Sequence, residues 1–260
     1  MKAGCFEKTT RAALLLGLCL VLAPAAPARA ADLELRVSPD VVQIGAFFQG
    51  SQVVVTGQIP QGAQAVLELL GPKAAEHLMR KGRRGGLWMN VGEVEVDGAP
   101  SVYLATSTTE QLLQAPAADA TWGYPALQKQ IKFAGQVEAN ERELFLDQFF
   151  KLKESEEIFA TFPGALKAAG VSGDLQTVKG TFPLPTKVRP GAYQVCLTVI
   201  QNGQVTGKQC ADLKVAMVGF PAAFFSLAYE HGATYGILAV VIAIVTGFAM
   251  GYLFKGGGGH

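Results

Sequence analysis

The stretch AYQVCLTVIQNGQVTGKQCADLKV, residues 192–215, carries the clearest secondary-structure signal in the chain. Two runs rich in β-branched and apolar residues, Ala192 to Ile200 and Val205 to Val215, flank Asn202-Gly203. Asn-Gly accepts the left-handed backbone at both central positions of a tight turn, so the stretch predicts a β-hairpin. A two-residue turn pairs positions whose numbers add to 405, and Cys196 and Cys210 miss that register by one. A three-residue loop with a bulge would set them opposite each other. An exported compartment permits oxidation, so we expect a Cys196–Cys210 disulfide. The competing reading leaves two buried thiols on opposite faces of the sheet. Without a Cys-x-x-Cys pair, redox catalysis is not expected.

Strands recur on the N-terminal side of this hairpin. Leu175 to Leu184 precedes Pro185, and Pro190-Gly191 opens the hairpin. Nearer the N-terminus, Leu33 to Val37, Gln52 to Ile59 and Ala65 to Leu70 read as strands, the last two separated by Pro60-Gln61-Gly62. Leu87 to Val91, Glu93 to Val96 and Ser101 to Ala105 continue the series. Several short strands with Gly and Pro in the gaps predict a β-sandwich, here of immunoglobulin-like type.

The middle of the chain breaks the pattern. Thr109 to Leu113 predicts the start of a helix capped by Thr108 or Thr109. Asn140 to about Phe159 predicts a longer one, with Leu144, Phe145, Gln148, Phe149 and Leu152 on one face. Residues 115–135, with Pro116, Gly123 and Pro125, read as a loop. We therefore expect a helical insertion near residues 108–160.

The two ends explain the composition. Half of the residues (50%) are hydrophobic, 17% are charged, and the formal net charge is +1. This excludes disorder, which needs low hydrophobicity and high net charge, and gives no electrostatic footprint for nucleic acid. Lys2, Lys8 and Arg11 precede an apolar run of 12 residues, Ala12 to Ala23, followed by small residues at Ala28 and Ala30. This predicts a signal peptide over residues 1–30, cleaved before Ala31. Its removal would leave 18 basic and 20 acidic residues, net −2, and only Cys196 and Cys210 of the four cysteines.

At the other end, Gly232 to Phe254 is 23 residues without a charge. At 1.5 Å per residue it can cross roughly 30 Å of hydrocarbon. Tyr235 and Tyr252 sit near its ends, where aromatic rings favour the interface. Lys255 follows directly, which predicts a cytoplasmic C-terminus and a tail, residues 255–260, too short for an activity. Ala239, Ala243, Gly247 and Gly251 recur every fourth residue as a small-residue seam that would let another helix approach. The segment Phe220 to His231 predicts an amphipathic helix along the membrane surface.

Catalytic patterns are missing. There is no His-Glu-x-x-His, Gly-x-Ser-x-Gly, Walker A or Gly-x-Gly-x-x-Gly motif. Three histidines leave little for a metal cluster. Glu154, Glu156 and Glu157 read as a solvated helix end, His77 as an isolated loop residue, and Trp88 as core. Arg80, Lys81, Arg83 and Arg84 form a basic loop that could meet anionic headgroups or an acidic partner, or remain solvated.

The chain resembles the alphaproteobacterial "putative transmembrane protein" family. The resemblance runs from about Leu33 through Phe254 and rests on these residues: Ser38-Pro39-Asp40-Val41-Val42-Gln43-Ile44, Gly86 to Asn90, Ala99 to Tyr103 with Thr106-Ser107, Phe182 to Pro185, Pro190 to Tyr193, Val218-Gly219-Phe220 and Tyr235 to Val240 leading to Gly247. Cys196, Cys210 and the glycines Gly256 to Gly259 depart from the family pattern. The resemblance implies a cytoplasmic-membrane protein with a periplasmic domain and no assigned activity, in an accessory role beside a transporter. The expectation is a single-pass, non-enzymatic accessory or interaction protein without a cofactor. Its partners would be membrane lipid and a membrane protein, or a second copy through the helix. A tethered ligand-binding or sensing module is the alternative.

Overall fold

A computed structural model describes residues 34–114, 120–135, 137 and 139–254. The expected signal peptide, its cleavage point before Ala31, and the tail with Lys255 lie outside the described residues.

The expected hairpin is β12 (Gly191–Gln201) and β13 (Gln204–Met217). Asn202 and Gly203 have φ of 51° and 78°, as a type I′ turn requires. Gln201 pairs with Gln204 and Ile200 with Val205, and then the register shifts so that Val199 faces Gly207. The loop thus has two residues rather than three, and a bulge at Thr206 supplies the one-residue correction. Cys196 then stands directly opposite Cys210, and the two form a disulfide with Cα atoms 4.1 Å apart.

Two sheets form the sandwich. One orders β1 (Leu35–Ser38), β3 (Ser51–Pro60), β11 (Leu175–Leu184) and β10 (Lys167–Ser172). The other orders β2 (Val41–Ile44), β13, β12, β4 (Gln64–Leu70), β7 (Tyr103–Ser107) and β9 (Phe159–Phe162). This is an immunoglobulin-like arrangement, with β1, β3, β11, β10 in the places of strands A, B, E, D and β13, β12, β4, β7 in those of G, F, C, C′, and with β9 as a further edge strand. Every second residue of β3 and β11 points inward, including Val53, Val55, Ile59, Val178 and Phe182. They meet Leu67, Val195, Leu197, Val199 and Leu213 of the facing sheet. The Tyr193 hydroxyl donates to the Arg189 carbonyl at 2.8 Å, a tyrosine corner at the start of strand F. The disulfide differs from the immunoglobulin one: it joins neighbouring strands of one sheet. Val195, two residues after Tyr193, is buried where the inter-sheet cysteine would stand.

The strand β9 runs parallel to β7. Parallel neighbours need a long crossover, and the insertion supplies it. It contains α1 (Gln111–Gln114), α2 (Gly123–Gln130), β8 (Lys132–Gly135), a 3-10 turn at Ala139–Glu141 and α3 (Arg142–Ser155). The residues from 123 to 135, read as loop, are therefore helix and strand. On α3 the buried residues are Leu146, Phe149, Phe150 and Lys153, while Leu144 and Leu152 are exposed. The apolar residues of α3 spread over a wide arc that admits two overlapping stripes, and the sheets select the one starting at Leu146.

The expected basic loop is not a loop. Glu76–Arg84 forms β5 and Leu87–Asp97 forms β6, joined by Gly85-Gly86 with φ of 58° and 83°. Both glycines adopt the left-handed region that a type I′ turn demands. The two segments read as separate strands at Leu87 to Val91 and Glu93 to Val96 are one strand, and His77 lies on β5. Near its base the pair is joined by β8, against Val94–Asp97 only. Beyond that it is a two-stranded ribbon. Trp88 sits there and is 74% exposed rather than in the core, because among the described residues neither a third strand nor a helix reaches it.

Candidate functional site

The anchor is built first. β13 passes through Val218-Gly219 into α4 (Phe220–Tyr229), and α5 (Gly232–Phe254) follows. The rings of Phe220 and Phe224 stack at 5.9 Å and those of Phe225 and Tyr229 at 4.4 Å. Phe224 meets Tyr235 edge-on at 5.5 Å, which ties α4 to the first turn of the span. α5 is 23 residues long with a mean hydropathy of 2.4 and no buried residue. The Thr246 hydroxyl donates to the carbonyls of Ile242 and Ala243 within the helix, so it exposes no unsatisfied group to hydrocarbon. Ala239, Ala243, Gly247 and Gly251 fall on one face, and nothing lies within 4 Å of a Cβ placed at Gly247 or Gly251.

The ribbon leaves the sandwich at the same end as the anchor. Leu70 pairs with Gln194, while Gly191 pairs with Val215, so β4 and β13 both finish there. Pro72 lies against Gly191, where a Cβ would come within 2.9 Å of the proline Cγ. The β4–β7 ladder then continues through a Lys73–Pro100 bridge into Glu76–Val96 and onward to Arg84–Leu87. The four expected cations part company on this ribbon. Arg80 makes a two-pronged contact with Glu141 at 2.8 and 3.1 Å and stands over the Phe145 ring. Lys81, Arg83 and Arg84 are exposed near the tip. At the base, the Lys153 ammonium, almost fully buried, pairs with Glu76 and fastens α3 to β5. Between α3 and the ribbon lies an open groove of about 630 Å³, lined by Leu78, Val94, Phe133, Phe145 and Phe149 among others.

A polar site that sequence reasoning missed lies under the insertion. The inner face of β4 meets the sandwich core, and its outer face is covered by Trp122, by Leu112 and Leu113 of α1 and by the Gly123 end of α2, so both faces are buried. Glu68 points outward into this cover. Its Oε1 accepts the Tyr103 hydroxyl at 2.6 Å and the Gly123 amide at 3.0 Å. Burial raises the Glu68 carboxyl above the usual carboxylate range, and these two hydrogen bonds oppose the rise. Burial also raises the Tyr103 phenol, with the facing carboxylate adding to the effect. Tyr103 is surrounded by Tyr124 and Phe159, with ring centroids at 5.8 and 5.9 Å. The arrangement offers no opening to a substrate; it is a satisfied structural carboxyl. A lone Glu in the apolar run Ala65 to Leu70 was the available signal. Among the described residues no group of three or more His, Cys, Asp or Glu could hold a metal ion.

His77 pairs with Glu93 across the ribbon at 2.8 Å. Of the acidic run, Glu154 accepts from the Tyr124 hydroxyl at 2.8 Å, and Glu156 lies 3.9 Å from Lys153.

Among solved structures, murine CRIg is similar over 72% of this chain and 98% of its own, at 10% identity and a TM-score of 0.24. Domain 1 of VCBP3 from Branchiostoma floridae is similar over 72% and 96%, also at 10% identity and a TM-score of 0.24. No curated protein matches the chain. The family described as "Putative transmembrane protein" (Alph_Pro_TM) matches residues 32–256, which takes in the sandwich, the insertion and the apolar helix, and the chain belongs to that family.

Proposed function

We infer that this protein is a non-enzymatic accessory or interaction subunit of a bacterial cytoplasmic membrane, with its sandwich in the periplasm and its C-terminus in the cytoplasm. The observation that carries the reading is the join of an immunoglobulin-type sandwich to a single apolar helix through Val218-Gly219. That helix has small residues along one face. In lipid, where helices gain little from apolar burial, such a face lets backbones approach closely. The seam of Ala239, Ala243, Gly247 and Gly251 docks a transmembrane helix of a membrane protein, such as a transporter, or of a second copy. The leader-like run Ala12 to Ala23 supports export of the sandwich.

In-membrane crosslinking from cysteines placed along α5 tests this. Crosslinks should cluster on the seam face, and Gly247→Ile with Gly251→Ile should abolish them along with co-purification in mild detergent. Crosslinks spread evenly around the helix, or unaffected by both isoleucines, would overturn the reading.

The groove beside α3 supports a second reading, a tethered ligand-binding module. A small molecule retained by the full chain in native mass spectrometry, and lost in Phe145→Arg, would favour it.

A further inference from the structure

We propose that the tip of the β5–β6 ribbon is a second membrane contact, which inserts end-on into the anionic headgroup layer of the bilayer that α5 spans. The proposal rests on α5 as the anchor and adds a separate attachment point for the exported domain.

Position comes first. The ribbon prolongs β4 past the end of the sandwich where β13 departs for α4 and α5. From Lys73 to Arg84 an extended strand reaches up to roughly 35 Å, enough to bring the tip to the surface on which the anchor enters. Composition comes second. The last turns carry Leu87 at 72% exposure, Trp88 at 74% and Met89 at 48%. These stand beside Lys81, Arg83 and Arg84, for which no ion pair occurs among the described residues. Indole rings favour the headgroup level, and lysine and arginine extend their charges toward phosphate.

The register then sets the mode of contact. Arg83 pairs with Trp88 and Arg84 with Leu87, and residues paired across two strands share a face. Each face of the tip therefore presents a cation beside a large apolar group, with Lys81 on the Arg83–Trp88 face and Met89 on the Arg84–Leu87 face. A ribbon lying flat would leave one such pair in water. A ribbon entering by its tip places both at the interface together. Gly85-Gly86 keeps that tip narrow, and nothing lies within 4 Å of either glycine's Cβ position. The Arg80–Glu141 contact fixes the ribbon to the 3-10 turn that precedes α3, behind the tip.

The test uses the full chain in vesicles of phosphatidylcholine, alone or mixed with phosphatidylglycerol, with acyl chains brominated near the headgroup. The chain has two tryptophans, and Trp122 is buried, so wild type minus Trp88→Phe isolates the signal of Trp88. Trp88 should be blue-shifted and quenched by the brominated lipid in anionic vesicles, and high salt should weaken this. Lys81→Glu, Arg83→Glu and Arg84→Glu combined should lower the quenching ~3-fold or more, since each cation near an anionic surface is worth about fivefold in partitioning. Flotation of the same variant with the vesicles reads the anchor separately and should not change.

Unquenched, water-exposed Trp88 in a chain that still floats would overturn the proposal and leave the anchor intact. Equal quenching with and without phosphatidylglycerol would overturn the headgroup assignment. Shielding of Trp88 in native membranes but not in pure lipid would overturn it in favour of an acidic protein partner.

Discussion

At the residue scale, Glu68 shows how a position becomes polar inside a core. Its strand is covered on both faces, so a carboxyl there has to be satisfied by Tyr103 and Gly123. Glu68→Ala leaves both donors buried and unpaired. At about 1–3 kcal/mol per orphaned group, we expect a loss of about 3 kcal/mol by urea denaturation. The pH dependence has a definite sign. The folded carboxyl titrates above its ordinary range, so between the two values the native state binds the extra proton. Stability from this group is therefore full on the acid side and falls as pH rises through that window. Glu68→Gln removes the dependence, and should gain on wild type as pH is raised from about 4 to about 7. A difference that stays flat or narrows over that range would contradict the assignment. At the tyrosine corner, Tyr193→Phe removes one hydrogen bond and should cost about 1 kcal/mol. Of these residues, sequence showed that Glu68 lay in a strand. It did not show that Trp122 and Gly123 would cover that strand, because they lie more than fifty positions away.

At the scale of elements, the legible parts are those governed by local chemistry. Asn202-Gly203 announced its hairpin because only a few residue pairs accept a type I′ backbone. Gly85-Gly86 carries the same signal. The four cations beside it suggested a solvated loop, although charge on an exposed ribbon is compatible with pairing. Trp88 read as core because large aromatics usually are. Its exposure follows from the length of the ribbon beyond β8, which no periodicity records. The α3 stripe was displaced for a similar reason, since tertiary partners chose between two available arcs. The buried Lys153–Glu76 pair holds α3 on β5, with the two side chains only 5% and 15% exposed. Lys153→Met strands a carboxylate and should cost about 3 kcal/mol, whereas Lys153→Met with Glu76→Leu should recover most of it. Chemical denaturation of both variants checks this, and an additive double variant would show that the two groups do not interact. In the hairpin, Cys196→Ser with Cys210→Ser releases a closed loop of about 15 residues and should cost up to ~3 kcal/mol. Unfolding of wild type with and without reductant measures the same quantity.

At the scale of the whole molecule, composition left open a large core or membrane segments, and the described residues place a 23-residue apolar helix after a β domain. The arrangement of the two sheets was legible only as a class, because strand order depends on pairings across the whole chain. The join between domain and span has a mechanical consequence. β2 runs parallel to β13, from Val41 beside Lys214 to Ile44 beside Met217. Hydrogen bonds from the Lys214 amide to the Asp40 carbonyl and from the Val218 amide to the Ile44 carbonyl extend the ladder at both ends, at 3.0 and 2.9 Å. Tension applied between Asp40, at the start of β2, and the anchor drags these two parallel strands past one another lengthwise. Their bonds then share the load and fail together rather than unzipping one by one. With β13 also joined to β12 by the disulfide, this shear arrangement resists a lengthwise pull on the span more than a hairpin opened from one end would.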